Sequence, residues 1–262
     1  MEITREIAIK VRDTVDAGLV KGQGVQIPGQ MGVEAAVCYA MGLPHSDEPP
    51  CVAPAIRQLK IQLNDSSWSS DKVRGAGMRR LALAQLGSAG TVDEVDFVRR
   101  VVEMTIRRFI PIALRAAASV HPLVEHQTAM EKAAVQCEQA VTLKDCEAAS
   151  KAASWAAVRA AWAASKAASW AGWAASKAAG PAVAVAASEA GWAGWAASWA
   201  GWAASKAGWA AVAVAAVAAA SKAASWAAQD SLLSDFAEGV VQVLIEMKAP
   251  GCQWLDLVPV SP

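Results

Sequence analysis

The sequence lacks most of the features that define a function class directly. Its five cysteines form no CxxC pair and are odd in number, so their spacing predicts no disulfide framework. It contains no Gly-rich phosphate loop between a strand and a helix, no HExxH and no GxSxG pattern. Aromatic residues other than tryptophan are scarce, with one Tyr and three Phe. The motifs therefore predict neither an enzyme nor a bound cofactor or metal.

Charge, the N-terminal residues and hydropathy argue against three further classes of protein. The 24 basic and 24 acidic side chains balance, which is unlike the basic surface of a general nucleic-acid binder. The N-terminal residues include Glu2 and Glu6 where an export signal would be basic and then apolar. In the Ala-rich part, the longest uncharged stretch (190–205) is shorter than the ~18 to 20 residues of a spanning helix. We expect a soluble, cytoplasmic protein that binds neither membrane nor extended nucleic acid.

Helical spacing of apolar residues recurs through the first 146 residues and predicts an all-α fold. The first helix precedes Gly18, and others are predicted over 31–41, 52–63, 71–86 and 91–121. We expect Ser70 or Asp71 to cap the helix at 71, and Thr91 with Glu94 to form a capping box. Pro111 predicts a kink in the last of these helices.

The composition changes abruptly at Glu147. Between 147 and 228 half of the residues are Ala, ten are Trp, and none is Leu, Ile, Met or Phe. Ala has the highest helix propensity, and Gly180-Pro181 is the clear break. The sequence thus predicts a helical bundle with a long Ala/Trp-rich helical hairpin. Three regions follow: an N-terminal helical domain (1–146), the array (147–228), and a C-terminal helix with an extended tail from Cys252 (229–262).

The large side chains of the array fall on one side of each predicted helix. A helical wheel confines the Trp and cationic residues to an arc about 100° wide, here called the Trp/cation stripe, while Gly194, Gly201 and Gly208 fall opposite. The stripe begins at Lys151 and also includes Trp192. The candidate ligand-binding residues on it are Trp155, Arg159, Trp162, Lys166, Trp170, Trp173, Lys177, Trp195, Trp199, Trp202, Lys206 and Trp209.

Three interpretations of the stripe are open. The indoles can be core or an oligomer interface, with the Lys stems reaching water. They can instead line a cleft in which a planar anion such as a nucleotide stacks on indole and is neutralised by Lys or Arg. They can also dock a partner protein, since Trp and Arg are common anchors.

The region around Glu34, Cys38 and His45 is the one cluster of reactive side chains. Glu34 and Cys38 share a helical face, and His45 lies in the loop beyond. No nucleophile signature surrounds Cys38, so we expect a buried structural thiol. Cys38, His45 and Cys51 match no zinc spacing.

Several segments resemble a family of uncharacterised bacterial and phage proteins with Ala-rich C-terminal repeats. The resemblance is carried by Pro28-Gly-Gln-Met31, Val33-Glu-Ala-Ala-Val-Cys-Tyr-Ala40, Gly42-Leu-Pro-His45, Trp68-Ser-Ser-Asp71 and Lys248-Ala-Pro-Gly-Cys252. It implies a phage context. In that context our hypothesis is a non-enzymatic protein that sequesters a small nucleotide immune signal in the host cytoplasm.

Overall fold

The computed structural model describes residues 3–121, 123–142, 144–149, 151–153, 155–156, 159 and 226–259. In these ranges the secondary structure is helical and contains no strand, apart from an isolated antiparallel bridge between Gly24 and Met31. The predicted all-α class is therefore confirmed. The predicted hairpin at Gly180-Pro181 lies outside the described residues.

The chain divides into two compact units, Met1–Val101 with Trp226–Pro262, and Val102–Ser225. This grouping differs from the regions suggested by composition, because the C-terminal helix packs with the N-terminal segment. The helices are α1 (Arg5–Asp16), α2 (Val33–Ala40), α3 (Pro54–Asn64), α4 (Asp71–Ala84), α5 (Glu94–Met104), a π-helical turn (Thr105–Phe109), α6 (Ile110–Val120), α7 (Val124–Gln139), α8 (Trp226–Glu246) and a 3-10 helix (Pro250–Leu257). Residues 144–149, 151–153, 155–156 and 159 are also helical.

Helix α4 lies at the centre of the first unit, where it packs against α1 and α8. Two glycines permit this close packing. A Cβ on Gly75 would lie 2.6 Å from the carbonyl oxygen of Val15, and one on Gly77 would lie 2.6 Å from the indole of Trp68. Any larger residue at either position would push the neighbouring backbone or ring away.

The N-cap predicted from the sequence is confirmed at α4 but not at α5. The Ser70 hydroxyl accepts a hydrogen bond from the Val73 amide at 3.3 Å, as predicted. The prediction of a capping box by Thr91 and Glu94 was wrong. Asp93 caps α5 instead, because its carboxylate accepts from the amides of Val95 and Asp96 at 2.9 and 3.1 Å.

Glu94 has a different role, which explains its absence from the box. Its carboxylate accepts from the Ala55 amide at 2.7 Å, in the first turn of α3. The N-cap of α3 is Ala53, whose side chain cannot accept a hydrogen bond. Glu94 therefore caps a neighbouring helix rather than its own.

A π-helical turn lies directly before Pro111, the position at which the sequence predicts a kink. Pro111 is the second residue of α6 and has no amide hydrogen, so the carbonyl of Arg107 loses its usual donor. The widened turn at Thr105–Phe109 comes directly before it. Such turns absorb one additional residue without ending the helix.

The extended tail predicted from Cys252 was wrong, because the chain forms the 3-10 helix Pro250–Leu257. The backbone of Gly251 lies against α4 so closely that a Cβ would be 2.3 Å from the carbonyl oxygen of Leu83. Arg5 adds an ion pair to Asp256 at 2.6 Å. Tertiary packing, which composition does not reveal, determines this segment.

The core of the second unit is built largely from small residues. Ala and Cys side chains of α7 and of the helical residues after 144 pack against Ile106, Ile110 and Leu114, which recur every four residues. The buried set on the other side is Met130, Ala133, Ala134, Cys137, Ala140, Cys146, Ala149 and Ala153. None of the described helices is long and apolar enough to cross a membrane.

Candidate functional site

The first residues of the Trp/cation stripe lie on the surface of the second unit. Trp155 is 71% exposed, and Lys151 and Arg159 on either side of it are also exposed. The three residues are spaced by four, which corresponds to a rise of about 6 Å along the helix per step. An exposed indole is thus flanked by two cations on one helical face.

The opposite face of the same helix is buried. Ala149 is 4% exposed and Ala153 is fully buried, and both belong to the core of the second unit. The Cys137 thiol of α7 donates to the Ala149 carbonyl at 3.7 Å, which shows how closely α7 approaches. Small side chains therefore face the core here, and the large and cationic ones face solvent.

The other predicted site residues belong to the later part of the Trp/cation stripe. They lie outside the described residues, and their assignment remains a prediction: Trp162, Lys166, Trp170, Trp173, Lys177, Trp195, Trp199, Trp202, Lys206 and Trp209.

A second group of polar residues lies in the interior of the first unit. Glu34 is on the apolar helix α2, and its Oε1 is 3.4 Å from Nζ of Lys60 on α3. The Gln85 side-chain amide, at the end of α4, donates to Oε2 of Glu34 at 3.2 Å. All three side chains are buried, so three segments contribute to one internal polar cluster.

Burial shifts the protonation equilibria of this cluster. It raises the pKa of Glu34, and the nearby Lys60 charge lowers it in part. It lowers the pKa of Lys60, while the Glu34 charge acts in the opposite direction. Both shifts favour neutral forms, because removal from water penalises each charge. The attraction between the two charges opposes the shift of each pKa.

The structure does not join Cys38 and His45 into the pair of a nucleophile and its base. Burial, together with the charges of Glu34 and Cys51, raises the pKa of the Cys38 thiol to about 11. His45 instead contacts the Gly24 carbonyl through Nε2 at 3.0 Å, and no hydrogen bond joins the described His45 and Cys38. A protonated thiol without a base is a poor nucleophile.

The surroundings of the Cys51 thiol are also unlike those of a metal ligand or a nucleophile. Its thiol contacts the Met41 thioether at 3.4 Å, and burial raises its pKa. Within the described part of the chain no group of three or more His, Cys, Asp or Glu side chains is arranged to hold a metal ion.

Sequence reasoning missed Lys60 and Gln85. A signal for Lys60 existed, since it follows Ile56 by four residues and adjoins Leu59 on the buried face of α3. A charged residue on such a face needs a partner, and Glu34 on apolar α2 is the matching one. Gln85 lies at the C-terminal end of α4 and gave no comparable signal.

A shallow groove of about 950 Å³ runs along α6 and α7 in the second unit. Arg115, which lines it, pairs with Glu131 at 2.9 Å and also with Glu138. The positive charge of Arg115 is therefore neutralised by two carboxylates of α7. Arg115 is thus not available to bind an anionic ligand in the groove.

Comparison with protein families, with curated proteins and with solved structures finds no match to this chain.

Proposed function

We propose that the protein is a non-enzymatic binding protein whose Trp/cation stripe takes up a planar anion of the nucleotide class. The observation that carries the proposal is the exposure of Trp155 between exposed Lys151 and Arg159. A purely structural stripe would direct its indole toward the core, where the buried Ala153 lies instead. An indole beside two cations suits a ligand that combines an aromatic ring with negative charge.

The expected affinity follows from ordinary magnitudes. Stacking of a base on an aromatic side chain contributes roughly 1 to 3 kcal/mol. Two such contacts with one or two charge-assisted hydrogen bonds reach about micromolar affinity. The residues of the stripe beyond Arg159 would supply the additional indoles and cations.

The resemblance to phage proteins suggests a role for such binding. A protein that holds a small nucleotide signal removes it from solution without any chemistry. This role requires affinity and abundance but no catalytic residue, in keeping with the raised pKa of the Cys38 thiol.

A structural or partner-binding role is the second candidate, favoured by the same exposed Trp155. An exposed indole within a longer apolar stripe is typical of a docking surface or an oligomer interface. The two candidates differ in what saturates the surface, a small anion or another protein surface.

The test measures ligand binding with a panel of mononucleotides, cyclic dinucleotides and ADP-ribose derivatives. At least one member is expected to raise the melting temperature and to bind in calorimetry. Trp155→Ala, Lys151→Ala and Arg159→Ala should weaken that binding, whereas Lys132→Ala, an exposed lysine of α7 outside the stripe, should not. Absence of binding by all members, together with concentration-dependent self-association lost in Trp155→Ala, would establish the interface instead.

A further inference from the structure

The buried cluster of the first unit contains three polar atoms that make no hydrogen bond to the protein. They are Oε1 of Glu34, Nζ of Lys60 and Oε1 of Gln85. Each side chain is completely or almost completely buried, with Glu34 at 1% and the other two at 0% exposure. Orphaned buried polar atoms cost free energy. The three side chains belong to one cluster, because Glu34 accepts from the Gln85 amide and lies beside the Lys60 amine, so we look for a common explanation.

The separation within the ion pair points to that explanation. Nζ of Lys60 and Oε1 of Glu34 are 3.4 Å apart. A direct charge-assisted bond would be about 2.7 to 2.9 Å long. Both atoms therefore retain capacity for a further polar partner.

We infer that Glu34, Lys60 and Gln85 form a binding site for a single internal water molecule. The stoichiometry fits, because a water molecule donates two hydrogen bonds and accepts others. It would donate to the two oxygens, those of Glu34 and Gln85, and accept from the Lys60 amine. Internal waters typically make about three such bonds to otherwise unsatisfied groups.

The opposite charges of the cluster disfavour an ion of either sign as the occupant. The amine of Lys60 repels a cation, and the carboxylate of Glu34 repels an anion. A neutral molecule with two donors and an acceptor is left. Because all three side chains are shielded from solvent, the occupant must be small.

The site is independent of the Trp/cation stripe. It lies in the first unit, whereas Trp155 belongs to the second. Failure of the nucleotide test would leave the water site unaffected, and the reverse also holds.

The experiment is a crystal structure of the full chain at a resolution that shows ordered water. The expected result is a water within roughly 2.7 to 3.2 Å of all three atoms. The double variant Glu34→Leu/Lys60→Met should lack it, while Gln58→Met, at an exposed position of α3, should retain it. A direct, shortened contact between Glu34 and Lys60 with no density beside it would overturn the inference.

Measurement in solution distinguishes a bound water from one that is ordered only in a crystal. Magnetic relaxation dispersion of water counts long-lived internal molecules. The wild type and Gln58→Met should give the same count, and the double variant about one fewer. Equal counts in all three proteins would also overturn the inference.

Discussion

The carboxylate of Glu34 and the amine of Lys60 lie 3.4 Å apart, with both side chains fully removed from solvent. Such a pair is not necessarily stabilising, because the desolvation of two charges can exceed their attraction. Each charge can be buried only because the other is beside it, so that loss of either residue leaves an uncompensated charge in the interior. It also links α2 to α3, and Gln85 extends the link to the end of α4.

Removal of one partner should be far more costly than removal of both. Lys60→Met leaves the Glu34 carboxylate buried without a counter-charge, which typically costs about 3 to 5 kcal/mol. Glu34→Leu/Lys60→Met removes both charges and should be much less destabilising than either single variant. Chemical unfolding followed by circular dichroism measures these differences.

Lys21→Met provides the control for loss of a lysine, since Lys21 is exposed and its replacement should change stability by less than about 0.5 kcal/mol. Additive effects of the two single substitutions would mean that Glu34 and Lys60 are not energetically coupled.

The pH dependence of the single variants should have opposite signs. In Lys60→Met the pKa of Glu34 stays above its ordinary value of 4.5, because burial raises it. The contribution of Glu34 to the free energy of unfolding is therefore full at low pH and is lost as the pH rises through the raised pKa. The free energy of unfolding of this variant, relative to wild type, should therefore increase on acidification.

In Glu34→Gln the remaining titrating group is Lys60, whose pKa burial lowers from 10.5. Its contribution to stability is lost as the pH falls through the lowered pKa. The variant should therefore regain stability, relative to wild type, as the pH is raised. Parallel pH profiles for both variants and wild type would show that folding shifts the pKa of neither group.

Most of the helical organisation of the first unit could be predicted from local pattern, and its exceptions have tertiary causes. Ser70 caps α4 as expected, because a hydroxyl before a helix acts on its own first turn. Glu94 does not cap its own helix α5, because its carboxylate binds the Ala55 amide in the first turn of α3, whose own N-cap residue offers no acceptor. The 3-10 helix at Pro250–Leu257 depends on the close approach of Gly251 to α4, which no local pattern encodes.

The candidate sites show the same limit. The stripe follows from helical spacing, so the common face of Trp155 and Arg159 could be predicted. Which face meets solvent depends on what packs against Ala153, and spacing alone left this open. The Glu34–Lys60 pair joins positions on different helices. The position of Lys60 on the buried face of α3 indicates that it needs a partner, but helical spacing does not show that α2 and α3 bring Glu34 beside it.

Cys38 offers a test of the non-catalytic interpretation. Because burial raises its thiol pKa to about 11, it should be protonated at neutral pH and inert to thiol reagents in the folded protein. We expect Cys38→Ala to keep full ligand binding and to lose about 1 kcal/mol of stability through lost packing. Loss of function in a folded Cys38→Ala protein would revive a nucleophilic role.

Gly77 should be intolerant of even a methyl group. A Cβ there would lie 2.6 Å from the Trp68 ring and 2.7 Å from the Ser234 hydroxyl. Alanine improves helix propensity by about 1 kcal/mol, yet we expect Gly77→Ala to destabilise by about 1 to 3 kcal/mol through overpacking. Thermal unfolding compares it with Ala76→Ser, at the exposed neighbouring position, where little change is expected. A more stable Gly77→Ala protein would contradict the packing of α4 against Trp68.

Stacking and charge at the stripe should be separable by substitution and salt. Trp155→Ala removes one indole and should weaken binding of the responding nucleotide about 5- to 150-fold, the equivalent of 1 to 3 kcal/mol. Trp155→Phe should retain part of that affinity, since an aromatic face remains. Lys151→Gln and Arg159→Gln should instead reduce the salt dependence of binding, because salt screens exposed charges but leaves stacking largely intact. Calorimetric titrations at low and high salt measure both effects, with Lys132→Gln as the charge control. If the dissociation constant of Trp155→Ala equals that of wild type, Trp155 does not contact the ligand and the binding surface must be sought elsewhere.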